Sequence, residues 1–212
     1  IYIVGYTDGT FGPARSMTRS EAAAIFARLL AEKNGDTIST AANTKFADIP
    51  AHAWYSGYVK YLSNNGITYG KNKTIFAPND AITRAEFTTM AVRFFDVYGD
   101  GDAEIMEQFS GFNDVSSGYW AAEYIKYAAL HGWINGYGDG SFHADREINR
   151  AEVVTIVNRL LGREADEDYI ADNLRKLNTF PDVTKRHWAY YAVMEAANAH
   201  TAVLGESESW SK

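Results

Sequence analysis

The sequence predicts a helical fold made of three similar units, and three observations support this. A four-residue signature opens an apolar helical pattern at residues 18, 83 and 149. A second helical pattern follows a Phe-x-Asp motif and a Trp, also three times. The first unit lacks this second pattern and the last lacks the first, so the two incomplete ends add up to one unit. We therefore expect the C-terminal helix to pack on the N-terminal one and close three units around a pseudo-threefold axis.

The signature marks the first turn of a helix. Its first residue is small and polar and its fourth is Glu, which is the pattern of an N-terminal capping box. Apolar residues follow at positions 4, 7, 8, 11 and 12 after the first signature residue, and these positions form one helix face. The copies are Thr18-Arg19-Ser20-Glu21, Thr83-Arg84-Ala85-Glu86 and Asn149-Arg150-Ala151-Glu152.

The second helix type begins near a Trp that lies eight residues after the Phe of each Phe-x-Asp motif. The Asp is expected to act as a turn or cap residue before the helix. Because each Trp heads an apolar helix face, we expect it in the core rather than in a binding site. The pairs are Phe46 and Trp54, Phe112 and Trp120, and Phe180 and Trp188. Residues 169–177 predict a further short helix.

A glycine-rich loop precedes each signature. The first loop contains Asp8-Gly9 and the third contains Asp139-Gly140, a dipeptide that favours a tight turn because Gly accepts positive φ. The second loop keeps the length but carries Lys73-Thr74 instead, so its contribution to any groove is expected to be weak or of different specificity. None of these loops has the alternating oxygen ligands and final Glu of a calcium loop. Asp100-Gly101-Asp102 is expected to be a surface turn, and the tail from Gly205 is expected to be mobile.

The composition excludes several classes of function. A net charge of −7 over 212 residues argues against a nucleic-acid partner, and no apolar run has the ~20 residues needed for membrane insertion. The absence of Cys excludes disulfides and Cys-type zinc sites. Motifs of the common catalytic classes are missing and the five His residues do not recur in register, so we expect no enzyme, no metal and no cofactor. Because Ile1 opens directly in a repeat, we expect a mature form or a piece of a longer exported protein.

Taken together, the Phe-x-Asp, Trp, Gly-Tyr-x-Asp-Gly and Thr-Arg-Ala-Glu motifs resemble those of the S-layer homology (SLH) family. The resemblance covers nearly the whole chain as a single domain, 1–212, of three units: 46–96, 112–162, and a third made of 1–30 plus 180–204. It implies an all-α, three-lobed domain that attaches bacterial surface proteins non-covalently to the cell wall. The implied partner is a secondary cell wall polysaccharide that carries a ketal-linked pyruvate. The implied sites are grooves between lobes that centre on the signature Arg.

The physical chemistry of the signature is compatible with such a site. Arg19, Arg84 and Arg150 lie in the first turn of their helices, where the backbone dipoles make a cation locally unfavourable by ~0.3–1 kcal/mol. A helix N-terminus beside a guanidinium suits a carboxylate, and nearby Tyr, Trp and Gly residues suit a sugar. The alternative is that each Arg only pairs with an acid such as the signature Glu. A second recurring set is expected to be structural: Arg28, Arg93 and Arg159.

The sequence thus predicts a non-catalytic anchoring module that binds an anionic, pyruvate-bearing wall polysaccharide at the cell surface. Its expected ligand-binding residues are Arg19, Arg84, Arg150, Asp8, Gly9, Asp139 and Gly140. Two alternatives stay open: a protein-interaction or self-assembly module of a surface layer, and a non-catalytic appendage of a surface glycoside hydrolase. The sequence leaves the oligomeric state open.

Overall fold

A computed structural model describes residues 1–99, 109–203 and 209–211. The described chain is helical, as predicted, with one short antiparallel hairpin near its C-terminus. Asp100-Gly101-Asp102, for which a surface turn was expected, and residues 204–208 lie outside the described residues. The mobility expected for the tail from Gly205 is wrong for residues 209–211, which form a strand in which Trp210 is buried and its amide donates to Asp166 Oδ2. The α-helices are α1 (Arg19–Asn34), α2 (Ser56–Asn64), α3 (Arg84–Tyr98), α4 (Ala122–Leu130), α5 (Arg150–Leu160), α6 (Glu167–Asn173) and α7 (Tyr190–Ala197). A 3₁₀ turn spans Leu174–Lys176, and the strands are β1 (Thr201–Val203) and β2 (Ser209–Ser211).

The three signatures start α1, α3 and α5, and all three form complete capping boxes. In α1 the Thr18 side chain accepts a hydrogen bond from the Glu21 amide, and the Glu21 carboxylate accepts one from the Thr18 amide. Thr83 with Glu86 and Asn149 with Glu152 repeat both bonds. The predicted short helix is also present, as α6 and the 3₁₀ turn that follows it.

Residues 16–148 form one compact unit. Within it α1 packs against α2 and α3, and α3 packs against α4. The predicted apolar faces supply the core: the ring of Phe26 lies 5.3 Å from that of Phe87 and 4.9 Å from that of Phe94. These three rings are fully buried, so the spacing of apolar residues in the signature helices correctly identified the core.

Residues 1–15 and 149–211 form a second compact unit, in which the two ends of the chain meet. The Tyr2 amide donates to the Ala196 carbonyl (3.3 Å), and the Tyr2 hydroxyl donates to Asn158 Oδ1 (2.5 Å). Burial raises the pKa of the Tyr2 phenol well above its ordinary value, so this hydroxyl stays a donor. Helix α7 packs against α5, whereas the helix expected to receive it, α1, packs against α2.

An Asp clamp, defined here as the Asp of each Phe-x-Asp motif with its two amide donors, fastens each glycine-rich loop. Both carboxylate oxygens of Asp114 accept backbone N–H groups, from Phe142 and His143, each at 2.7 Å. Burial alone would raise the pKa of Asp114, but these bonds outweigh it and the pKa lies below its ordinary value. Asp48 binds the amides of Phe76 and Ala77 in the same way, and Asp182 binds those of Phe11 and Gly12.

The motif Phe explains the first glycine of each loop. A Cβ at Gly136 would lie 2.5 Å from the Phe112 ring, and Gly5 and Gly70 face Phe180 and Phe46 equally closely. The Asp was expected to be a turn or cap residue before the next helix. It does lie in a turn that starts at the motif Phe, but its carboxylate binds the glycine-rich loop instead of capping the helix. For the third clamp this partner comes from the other end of the chain, because Asp182 holds Phe11 and Gly12.

Candidate functional site

The three signature Arg side chains occupy equivalent environments. Each is only 4–5% exposed, and each Nε donates to the backbone carbonyl of the Phe that ends a glycine-rich loop. The loop belongs to the following repeat, because Arg19 meets Phe76, Arg84 meets Phe142, and Arg150 meets Phe11 of the first loop. The distances are 2.7, 2.9 and 2.8 Å. The guanidinium groups therefore fasten loops to helix starts, a structural role that the sequence analysis did not assign.

The helix amides are already occupied, which removes one part of the predicted anion site. The Arg19 and Ser20 amides donate to the carbonyls of Asp80 and Pro78, at 2.9 and 3.0 Å. The next two amides of α1 bind Thr18, through its hydroxyl and its carbonyl. The same pattern recurs at α3, with carbonyls of Arg146 and Ala144, and at α5, with carbonyls of Arg15 and Pro13. Because these donors are used, an anion would have to be bound by side chains.

Aromatic rings flank the buried guanidinium groups. Arg150 lies over the rings of Tyr6 and Phe11, both at 4.7 Å, and its Nη2 donates to the Val4 carbonyl (2.8 Å). Arg84 lies over Tyr137 and Phe142 in the same manner. Arg19 retains the Phe contact, with Phe76 at 5.0 Å, but Lys71 stands in its loop where the other loops have Tyr.

The Asp-Gly dipeptides are turn residues in the structure. Asp8 Oδ1 accepts hydrogen bonds from the Thr10 hydroxyl and amide, which lower the pKa of Asp8. Asp139 makes the same bonds with Ser141, and its pKa is lowered for the same reason. Gly9 and Gly140 adopt φ of +84° and +80°. These four residues shape the loops that contact Arg150 and Arg84; their contact with a ligand stays a prediction.

A pocket of about 310 Å³ opens beside Arg19 in the unit formed by residues 16–148. We call it the Arg19 pocket. Its walls come from the second glycine-rich loop, the first turns of α3 and the segment before α4. The lining residues are Arg19, Ile67, Thr68, Tyr69, Gly70, Lys71, Glu86, Thr89, Met90, Arg93 and Trp120. The second loop, whose contribution was expected to be doubtful or of different specificity, therefore forms one side of a pocket.

The Arg19 pocket carries an excess of positive charge. Glu86 is its one carboxylate among the described lining residues, and it is shared by two cations: Arg19 Nη1 lies 3.2 Å from Oε2, and Lys71 Nζ lies 2.6 Å from Oε1. Burial acts to raise the pKa of Glu86, but the Lys71 hydrogen bond and the Arg19 charge outweigh it and the pKa is lowered. The alternative that a signature Arg pairs with an acid thus applies at Arg19, although this acid is the signature Glu of the next repeat and not of its own.

Arg93 is the third cation of this pocket. Its guanidinium donates to the Tyr124 hydroxyl and lies 4.7 Å from the centre of the Tyr69 ring. Arg28 contacts the Tyr58 hydroxyl in an equivalent way. Both contacts agree with the structural role expected for this recurring set, but Arg93 also faces the pocket.

The motif Trp residues are exposed, so the prediction that they belong to the core is wrong. Trp54, Trp120 and Trp188 are 54%, 57% and 65% exposed. The physical reason is that the helices start two residues later, for example at Ser56 and Ala122, so each indole lies outside the packed helix face. Trp120 stands at the Arg19 pocket, where an exposed aromatic face can stack on the C–H surface of a sugar.

Sequence reasoning missed three of the residues that build this pocket. Lys71 and Glu86 come together through a contact between a loop and the helix after it, and Trp120 comes from the following repeat. The replacement of Tyr by Lys at position 71 was visible in the repeat register. The importance of this replacement depends on the ion pair with Glu86, and the capping box already accounted for a Glu at that position.

Two kinds of site are absent from the described residues. None of the helices in this part of the chain combines the length and apolarity needed to span a membrane. Nor do the described residues contain a group of three or more His, Asp or Glu side chains placed to hold a metal ion.

Comparison with known proteins agrees with the repeat pattern. The model of the S-layer homology domain matches residues 2–23, 45–88 and 111–154, slightly more than half of the chain. A relative in Acetivibrio thermocellus, "Cell surface glycoprotein 1", is 34% identical over 98% of this chain and 9% of its own length. "Cellulosome-anchoring protein" of the same organism is 30% identical over 97% of this chain and 44% of its own length.

An enzyme of Acetivibrio thermocellus, "Exoglucanase XynX", is 31% identical over 75% of this chain and 14% of its own length. The chain therefore spans less than half of each of these relatives. The first matched segment runs from a glycine-rich loop into α1. The other two run from a Phe-x-Asp motif through the glycine-rich loop into α3 and α5. The chain belongs to the S-layer homology domain family.

Proposed function

We propose that this chain anchors the protein that carries it to the bacterial cell wall, by binding an anionic, pyruvate-bearing wall polysaccharide without catalysis of its own. The family and the relatives indicate a location at the cell surface. The observation that carries the polysaccharide proposal is the Arg19 pocket, in which three cations and one carboxylate line a concave site on a chain of net charge −7. A local excess of positive charge on an acidic protein favours an anionic ligand over a neutral one.

The shape and surface of the pocket support a sugar as the rest of the ligand. Trp120 and Tyr69 are both more than half exposed and offer aromatic faces at the rim. Arg19 lines the same pocket, is buried and is held by the Phe76 carbonyl and Glu86, and its Nη2 donates to none of the described residues. A fixed guanidinium with a remaining donor suits the carboxylate of a pyruvate ketal.

The remaining predicted site residues enter the proposal in two roles. Arg84 and Arg150 would bind carboxylates in grooves equivalent by sequence, while they also hold the third and first loops in place. Asp8, Gly9, Asp139 and Gly140 would shape those loops. The exoglucanase relative favours a second setting for the same function, in which the chain is the non-catalytic anchor of a surface glycoside hydrolase.

A sedimentation assay with purified cell walls tests the proposal. The chain is mixed with intact walls and with walls stripped of their secondary polysaccharide, and the bound fraction is measured after centrifugation. We expect binding to intact walls only. Equal binding to both preparations would show that the polysaccharide is not the partner.

A further inference from the structure

We propose that Lys71 tunes the Arg19 pocket for a saccharide with two anionic groups, one on the pyruvylated ring and one on its neighbour. This inference rests on the proposed function, because it assumes that the pocket binds wall saccharide. It goes beyond that function by assigning one pocket a charge specificity of its own and one residue as its determinant.

The register of the loops marks position 71 as the point where the second loop differs from the other two. Lys71 occupies the position of Tyr6 and Tyr137, whose rings lie against the guanidinium groups of Arg150 and Arg84, at 4.7 and 5.2 Å. At Arg19 the ring is replaced by an ammonium group. The Asp of the other two loops is also absent here, since Lys73 stands in its place. The second loop thus gains two positive charges and loses a negative one relative to the first loop.

Positive charges outnumber negative ones among the residues that line the pocket. Arg19, Lys71 and Arg93 face a single carboxylate, Glu86. Arg93 is bound to a neutral partner, the Tyr124 hydroxyl, and not to an acid that the structure describes. The lining residues therefore retain an excess of two positive charges. A ligand with one carboxylate compensates one of them, and a second anionic group compensates the other.

The two cations that share Glu86 differ in how firmly they are held. Arg19 is 4% exposed and is fixed by the Phe76 carbonyl, the Phe76 ring and Glu86. The Lys71 side chain is 39% exposed and is held by Glu86 alone among the described residues. Lys71 can rotate toward a ligand while Glu86 stays paired with Arg19, so a second anionic group gains a flexible partner without leaving a buried carboxylate uncompensated.

The experiment compares two disaccharides that differ in one charge. Both contain a hexose with a pyruvate ketal; its neighbour is a hexuronic acid in one probe and the matching neutral hexose in the other. Binding is followed at the indole N–H signal of Trp120, assigned by loss of that signal in Trp120→Phe, so that only the Arg19 pocket is reported. We expect the wild type to bind the uronic acid probe about fivefold more tightly, as a partly exposed ion pair would give.

The variant Lys71→Tyr restores the residue of the other two loops and is expected to fold normally. It should abolish the preference between the probes, because the affinity for the uronic acid probe should fall about fivefold more than the affinity for the probe with the neutral hexose. Lys71→Met should do the same, since it removes the charge without adding a ring. Lys73→Met is the matched control, because Lys73 belongs to the same loop but does not line the pocket; the preference should persist.

The results separate this inference from the function on which it rests. If the wild type binds both probes equally, or if Lys71→Tyr weakens both by the same factor, the assignment of Lys71 is overturned and wall anchoring stands. If neither probe shifts the Trp120 signal, both the inference and the role of this pocket in anchoring are overturned.

Discussion

At the scale of single residues, the signature Arg has two tasks, and both require a guanidinium. Its Nε holds the loop of the next repeat, and a further donor meets an acid, as Arg19 Nη1 does, or a second carbonyl, as Arg84 Nη2 does. The planar fork lets one side chain bind in two directions, which a Lys cannot reproduce. Because the side chain is buried, any substitution affects loop position as well as charge.

We predict that Arg19→Lys lowers both stability and binding. The ammonium cannot keep the bond to the Phe76 carbonyl and the ion pair with Glu86 together, and the loss of a buried hydrogen bond costs about 1–3 kcal/mol. Urea unfolding measures the first effect and wall sedimentation the second. Arg28→Lys is the control, since Arg28 is exposed and contacts only the Tyr58 side chain among the described residues. Unchanged unfolding in Arg19→Lys would show that the buried fork does not hold the loop.

A second residue-scale prediction concerns the exposed indole at the pocket. Trp120→Ala should weaken sugar binding by about 1–3 kcal/mol while unfolding changes by less than about 0.5 kcal/mol, because the side chain is 57% exposed. Trp54→Ala removes an equally exposed indole that does not line this pocket. A large loss of stability in Trp120→Ala would mean that this side chain is part of the packed core.

At the scale of elements, local and non-local features differ in how well the sequence predicts them. The capping boxes and buried faces of α1, α3 and α5 depend on residues within four positions of each other, and these predictions are confirmed. The contacts of Asp48 with Phe76 and of Arg19 with Glu86 join segments far apart in sequence. Repetition marks such residues as important, but it does not reveal which segment they meet.

The Trp residues illustrate the limit of periodicity. The apolar pattern after Trp54 identified α2 correctly, but extending the pattern back to the Trp itself placed it in the core. The helix begins at Ser56, so the backbone direction at Trp54 is not that of the helix. Helices that start without a side-chain cap, as after Tyr55 and Ala121, carry no sequence signal that tells whether the Trp lies within the helix or before it.

The lowered pKa of Asp114 makes the stability of its clamp depend on pH. Its pKa is lowered in the folded state, so its contribution is complete above the unfolded pKa, near 3.8, and is lost as the pH falls through the folded pKa. Asp114→Asn should cost about 1–3 kcal/mol at pH 7, because one amide oxygen replaces two acceptors. The deficit should shrink as the pH falls below about 4.

Urea unfolding at several pH values measures this deficit. Asp80→Asn serves as the control, since Asp80 contributes its backbone carbonyl to the Arg19 amide, and this substitution leaves that carbonyl in place. A deficit for Asp114→Asn that is the same at pH 7 and pH 3 would mean that the carboxylate charge has no part in holding the loop.

At the scale of the whole molecule, the sequence predicted a unit completed by the two ends of the chain. Residues 1–12 do meet residues 180–196, through the Asp182 clamp, the Phe11 and Phe180 rings at 5.3 Å, and the Tyr2 amide. The wider pseudo-threefold, three-lobed arrangement remains a prediction, as does the single domain 1–212.

The Asp182 clamp, which joins the two ends of the chain, should contribute as much to the free energy of unfolding as the Asp114 clamp. We predict that Asp182→Asn destabilises the protein about as much as Asp114→Asn, and that it raises the susceptibility of residues 1–15 to limited proteolysis. Mass spectrometry of the early cleavage products measures this directly. Early cleavage that is no faster in Asp182→Asn than in the wild type would mean that residues 1–15 are held mainly by other contacts.

The central claim is that a carboxylate on the wall polysaccharide is what the signature Arg and its neighbours recognise. Calorimetric titration of the chain with the polysaccharide, before and after removal of its pyruvate, tests this claim most directly. We predict measurable affinity for the pyruvylated polymer, falling as salt rises, and a loss of at least about tenfold after depyruvylation. Equal affinity for the two polymers would contradict the account.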